Sequence, residues 1–309
     1  MENISIALCI DHNFIQHCAA TINSIMFSYK GGADVVFYIV HNDLSETEQA
    51  DLNILIKKDK FKIVFVRIDD TVLKDMPLGE NTISSSITLS TYFRILLSYI
   101  IPNEVKRIIY LDSDIYVNDS IDKLWNINMK DFAIAGVPEP YQDKKRQRLD
   151  LPDNCYYVNA GVSVMNLEKL RAIDYPKKAL EYAHKNKDKI IYHDQDIQNA
   201  VLYDSTTYLP QRWNMIDIYL YKNLPIMEKD FVDEILKYRN NPSLIHFAGY
   251  IKPWHKECKN PYRALYWQAL KGTKWENERK ESREKNFIKR IKLMARQILS
   301  GNPYFKNGL

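Results

Sequence analysis

The chain has 309 residues, of which 46% are hydrophobic and 12% aromatic, and it carries a formal charge of +4. That length and apolar content provide the core of one large domain plus an appendage, excluding wholesale disorder, and nine glycines with twelve prolines exclude a collagen-like or linker-rich chain. The charge is unevenly spread: residues 271–309 hold 11 Lys/Arg against 4 Asp/Glu, a local +7 that leaves about −3 on residues 1–270.

The opening run MENISIALCIDHN lacks a basic segment, and its seven or so apolar residues are too few for a signal peptide or a membrane span. No later window reaches 18 apolar residues, and the four cysteines fall in no CxxC spacing, which predicts a cytoplasmic chain with reduced thiols. Residues 4–10 form a β-rich run that stops at the polar Asp11-His12-Asn13. Helical spacing follows over 14–29, with apolar side chains at 15, 18, 19, 22, 25 and 26. Residues 35–40 read as the next strand, 44–57 as a helix opened by a Ser45-x-x-Glu48 capping box, and 62–68 as a third strand. A polar loop over 74–86 precedes a helix over 91–100 and a buried strand over 107–111 that ends on acids.

Strands alternating with helices predict an α/β fold with a mostly parallel central sheet. Ligands of such sheets bind beyond the carboxyl ends of the strands, where both Asp11 and Asp112 fall. The charged run over 141–154, centred on DKKRQRLD, reads as a solvated mobile loop. No GxGxxG follows the first strand and no GxxxxGK[ST] occurs, which removes the usual signals of a dinucleotide-binding Rossmann domain and a P-loop.

Four constellations could carry chemistry. In Asp112-Ser113-Asp114 the two carboxylates leave an extended segment on one side, where like charges repel unless a cation such as Mg²⁺ or Mn²⁺ joins them; a turn or a helix cap is the plainer account of such a pair. His246-Phe247-Ala248-Gly249-Tyr250-Ile251-Lys252 offers an imidazole that would tilt the choice toward Mn²⁺, a glycine that lets backbone approach phosphate, and a lysine to meet its charge. Read alone, a histidine such as His246 is more often a satisfied structural residue than a ligand. His193-Asp194-Gln195-Asp196 precedes a helical pattern; one acid serves the helix N-terminus, leaving a carboxylate and a carboxamide for sugar hydroxyls. Asn159-Ala160-Gly161 opens an apolar run and reads by itself as a tight strand start.

Taken in order, these motifs over residues 3–260 resemble glycosyltransferase family 8, the retaining enzymes that include bacterial lipopolysaccharide galactosyl- and glucosyltransferases and, more distantly, glycogenin. The resemblance implies a single nucleotide-diphospho-sugar transferase domain of the GT-A type, a UDP-hexose donor and a saccharide or glycolipid acceptor. It implies that Asp11 and Asn13 contact uracil and ribose, and that Arg94 of Ser90-Thr91-Tyr92-Phe93-Arg94 meets the donor. Asp112, Asp114 and His246 would hold Mn²⁺, with Mg²⁺ as the alternative, and Ser113 would lie beside the donor. Asn159, Ala160 and Gly161 would flank the donor sugar, Asp194 and Gln195 the reacting centre, and Gly249 and Lys252 the diphosphate. The chain departs from the family at Ile10, where a small residue is frequent.

The expected division is a transferase domain over 1–270 and a basic tail over 271–309. Within the tail, Phe287, Ile291, Met294 and Ile298 form one apolar stripe among Lys285, Lys289, Arg290, Lys292 and Arg296. That pattern predicts an amphipathic helix that packs on protein or rests on an anionic membrane surface. Two rival classes fare worse. A sugar-nucleotide nucleotidyltransferase needs a Gly-rich basic loop after the first strand, where this chain has DHNFIQHC. A non-catalytic carbohydrate- or nucleic-acid-binding protein would organise its aromatics as stacking motifs, which this chain does not, so no nucleic-acid partner is expected.

Overall fold

The computed structural model describes residues 2–73, 76, 89–225, 227–278, 282 and 303–304. The tail stripe at 287–298 and most of the loop at 74–86 lie outside them. A seven-stranded sheet forms the centre, built from β1 (Ile4–Cys9), β2 (Val35–His41), β3 (Phe61–Arg67), β4 (Arg107–Leu111), β6 (Ile134–Pro138), β7 (Val158–Asn166) and β8 (Thr206–Tyr208). Their order is β3-β2-β1-β4-β7-β6-β8, parallel except where β7 runs antiparallel to β4 and β6. A smaller sheet sets β10 (Leu244–His246) between β5 (Ile115–Val117) and β9 (Met215–Ile216). The expected mostly parallel α/β sheet is present.

Alternation along the strands builds a core on each face. Ile4, Ile6 and Leu8 of β1 and Val35, Phe37 and Ile39 of β2 pack with Ile15, Cys18, Ala19, Ile22 and Ile25 of the helix Ile15–Ser28. Ala7, Tyr38 and Val40 face the other way, against Tyr92, Phe93, Leu167, Tyr175 and Ile197. Thr21 of the first helix donates to the carbonyls of Ser113 (3.0 Å) and Ile115 (2.8 Å), so this helix also braces the turn between β4 and β5.

Two expectations are corrected. The segment over 91–100 is a 3-10 helix at Leu89–Leu96 that becomes α-helical only at Leu97–Ile100. Five consecutive side chains from Tyr92 to Leu96 are buried, too many for a single helical face. The charged run over 141–154 contains an α-helix, Gln142–Leu149, with Gln142, Lys145, Arg146 and Leu149 buried. Two of its cations meet acids of the framework instead of water: Lys145 pairs with the half-buried Glu139, and Arg148 forks onto the buried Asp196 at 2.7 and 2.9 Å. The helix expected over 44–57 is shorter, Glu46–Asn53, and its Ser45–Glu48 capping box is present.

Candidate active site

The register of β4 against β7 pairs Leu111 with Val162, and the Asp112 amide donates to the Gly161 carbonyl at 2.8 Å. Asp112 and Gly161, 49 positions apart in sequence, are thereby placed side by side. In the small sheet, β10 pairs His246 with Ile115, so the imidazole arrives beside the same turn. Asp112, Asp114 and His246 each offer one atom of a set lying within 4.8 Å of one another, the one such acid–imidazole cluster among the described residues. His246 Nε2 is 3.2 Å from Asp114 Oδ1 and 3.7 Å from Asp112 Oδ2.

The donor set fits a divalent ion on three counts. Two carboxylate oxygens and an imidazole suit Mn²⁺, or Mg²⁺ with more difficulty. Asp114 Oδ1 is buried and accepts no hydrogen bond among the described residues. A Cβ on Gly161 would lie 2.4 Å from His246 Cε1 and 2.6 Å from Asp112 Oδ2, so only glycine leaves the space. Asn214 Oδ1 lies 2.9 Å from His246 Nδ1, and its Nδ2 donates to Asn159 Oδ1 at 2.8 Å. With its oxygen toward the ring, Asn214 accepts the Nδ1 proton and leaves Nε2 to face the carboxylates.

The electrostatics are strongly polarised. Burial alone would raise the Asp114 pKa, but Lys252, whose Nζ is 2.6 Å from Oδ2, and His246 hold it well below the usual carboxylate range. Burial disfavours a charge on His246, yet the adjacent Asp114 and Asp112 raise its pKa on balance. Arg94 spans three motifs. It bonds Asp112 Oδ1 at 2.9 Å and the Ala160 carbonyl at 2.8 Å, and its Nε lies 2.7 Å from Asp194 Oδ2. Its guanidinium also sits 4.3 Å from the centre of the Tyr110 ring.

Asp194 is buried and accepts from Thr91 Oγ1 at 2.8 Å; burial raises its pKa against the pull of Arg94. Gln195 Oε1 accepts from the Ala160 amide at 3.0 Å and from Asn159 Nδ2 at 3.1 Å. Ser113 is buried, and its hydroxyl has no hydrogen-bond partner among the described residues. Asp11 caps its own short turn just past the end of β1, accepting from the Asn13 amide at 2.9 Å, and β1 lies beside β4 in the sheet. The Gly249 amide donates a hydrogen bond to Asp217 Oδ2 at 2.9 Å.

The pattern that defines glycosyl transferase family 8 matches residues 5–258. The chain belongs to glycosyl transferase family 8. General stress protein A of Bacillus subtilis is 28% identical over 281 residues, covering 89% of this chain and 95% of that one. The lipopolysaccharide 1,2-glucosyltransferase of Escherichia coli is 26% identical, covering 90% and 80%. The lipopolysaccharide 1,3-galactosyltransferase of Salmonella typhimurium is 27% identical, covering 89% and 80%. Among solved structures, the galactosyltransferase LgtC in complex with donor and acceptor sugar analogues shares the fold with a TM-score of 0.79 at 24% identity, over 88% of this chain and 96% of that one.

Three further residues of this family 8 chain belong to the site and escaped the sequence reading. Glu139 Oε1 accepts from Asn159 Nδ2 and, at 3.3 Å, from Gln195 Nε2. Asn214 orients His246, and Asp217 holds Gly249. None of the three belongs to a local motif, and only the partner it meets in space marks it.

Proposed function

We propose that this glycosyltransferase moves glucose or galactose from a UDP-hexose to a saccharide or glycolipid acceptor with retained anomeric configuration, in the synthesis of lipopolysaccharide or another bacterial surface glycan. The observation that carries the reading is the Asp112–Asp114–His246 cluster with Lys252 beside it. Its relatives named for lipopolysaccharide glucosyl and galactosyl transfer support the same reading. Asp112, Asp114 and His246 would hold Mn²⁺, which when bound offsets charge on the diphosphate.

The chain's own groups do the rest. Lys252 turns its ammonium from Asp114 to the diphosphate, and Arg94 keeps Asp112 and Asp194 in register. Asp194 orients the sugar hydroxyls, with Asn159, Ala160 and Gly161 along the ring. Ser113 and Gly249 flank the phosphates, and Asp11 and Asn13 take the nucleoside. Gln195 lies by the anomeric carbon, but an amide is a poor nucleophile. The acceptor hydroxyl therefore attacks on the face the phosphate leaves. The bond from the anomeric carbon to the phosphate oxygen breaks with its electron pair on UDP, and that oxygen takes the acceptor's proton.

UDP release from UDP-glucose, UDP-galactose and UDP-N-acetylglucosamine, each with Mn²⁺ and a saccharide acceptor, tests this reading. One of the two plain hexose donors should be consumed and an α-linked product formed; near-normal turnover by Asp112→Asn would sink the assignment. For the tail we propose contact with an anionic membrane surface, which suits a lipid-linked acceptor. Because Trp275 is buried in the main core, the test is charge reversal of Lys289 and Arg290 in the full chain, and unchanged sedimentation with anionic vesicles would remove the idea.

A further inference from the structure

The end of the chain returns to the edge of the site. Lys222 donates its amide to the Pro303 carbonyl at 2.9 Å, and Tyr304 forms an antiparallel bridge with Tyr221, their rings 5.1 Å apart and at 71°. From there the Tyr304 hydroxyl donates to Asp217 Oδ1 at 3.2 Å. Asp217 is 5% exposed and makes no ion pair among the described residues. It is held by neutral donors: Tyr304, Asn260 Nδ2 at 2.7 Å on the same oxygen, and the Gly249 amide at 2.9 Å on the other. A buried carboxylate in that state depends on each donor it has. Its grip on the loop is close, since a Cβ on Gly249 would lie 3.0 Å from Asp217 Oδ2. Three residues further on, Lys252 bonds the Phe247 carbonyl at 2.7 Å and Asp114 at 2.6 Å.

We propose that Tyr304 is a positioning residue for nucleotide binding: its hydroxyl completes the donor set of Asp217, and Asp217 fixes the backbone that presents Gly249 and Lys252 to the diphosphate. This inference rests on the reading of the site as one for a UDP-sugar. The Tyr304 phenol is suited to the task, because burial and the Asp217 charge raise its pKa and keep it a donor.

The test is Tyr304→Phe in the full chain, which keeps the ring against Tyr221 and removes only the hydroxyl. The dissociation constant for UDP in the presence of Mn²⁺ and the donor KM should both rise about two- to tenfold, the worth of one hydrogen bond, with kcat unchanged. UDP affinity equal to that of the wild-type chain would overturn this inference alone, as would a joint fall in kcat and melting temperature, which marks a general packing role. Failure of the wild-type chain to bind UDP would overturn it together with the function on which it rests.

Discussion

Two acid pairs, Asp112-Ser113-Asp114 and Asp194-Gln195-Asp196, look nearly alike in sequence and end in opposite situations. Asp196 is fully buried, and five donors use its lone pairs: both Arg148 nitrogens, the Tyr157 hydroxyl and the amides of Ile191 and Tyr192. Asp114 keeps one oxygen without a hydrogen bond among the described residues, and the Asp112 side chain stays 27% exposed. A carboxylate whose lone pairs are all taken is part of the framework. One left open, with a histidine turned toward it and a glycine clearing the space, is prepared for a ligand. Between the two stands Asp194, tied to Arg94 and Thr91 on the same helix as Asp196.

The contrast can be broken by exchange of function for stability. Asp112→Asn should lower kcat for Mn²⁺-dependent UDP release at least about 100-fold while leaving the urea midpoint in place. Asp196→Asn should do the reverse, costing about 3 kcal/mol because Arg148 loses its buried partner; a urea midpoint equal to wild type would mean that Asp196 is not framework. A smaller effect is expected from Gly161→Ala, whose methyl would crowd His246 and Asp112: Mn²⁺ affinity measured by calorimetry should fall roughly 10- to 100-fold. Asn214→Ala should cost about tenfold in the same titration, and unchanged affinity there would show that the imidazole needs no external anchor. Smallest of all is the response to chelation. Lys252 and Arg94 already neutralise the acids, so EDTA should stop turnover yet move the melting temperature by less than about 2 °C, as expected for a site not needed for folding.

What the sequence made legible follows the same divide. The strands ending at Asp11 and Asp112 could be located because continuous apolar runs break on acids, and the His246 and Lys252 loop because its chemistry is contiguous. The helix Gln142–Leu149 was not legible. It has no apolar stripe, and its cations are buried by acids at 139 and 196 that no local window contains. Asn214, Asp217 and Glu139 were missed for the same reason: their meaning lies in partners 20 to 55 residues away.

That separation along the chain has a consequence for biosynthesis. Arg94 reaches its acceptors at Asp112 and Ala160 across 18 and 66 residues, and Lys252 reaches Asp114 across 138. Folding that proceeds from the N-terminus as the chain is made can assemble β1 to β4 and the first helix early. Asp112 can meet Arg94 at that stage, but Asp114 waits without its lysine and its histidine until the ribosome has delivered residues 246–252. A nascent chain that ends before residue 246 therefore lacks both His246 and Lys252, and its acid cluster stays incomplete until both have been translated.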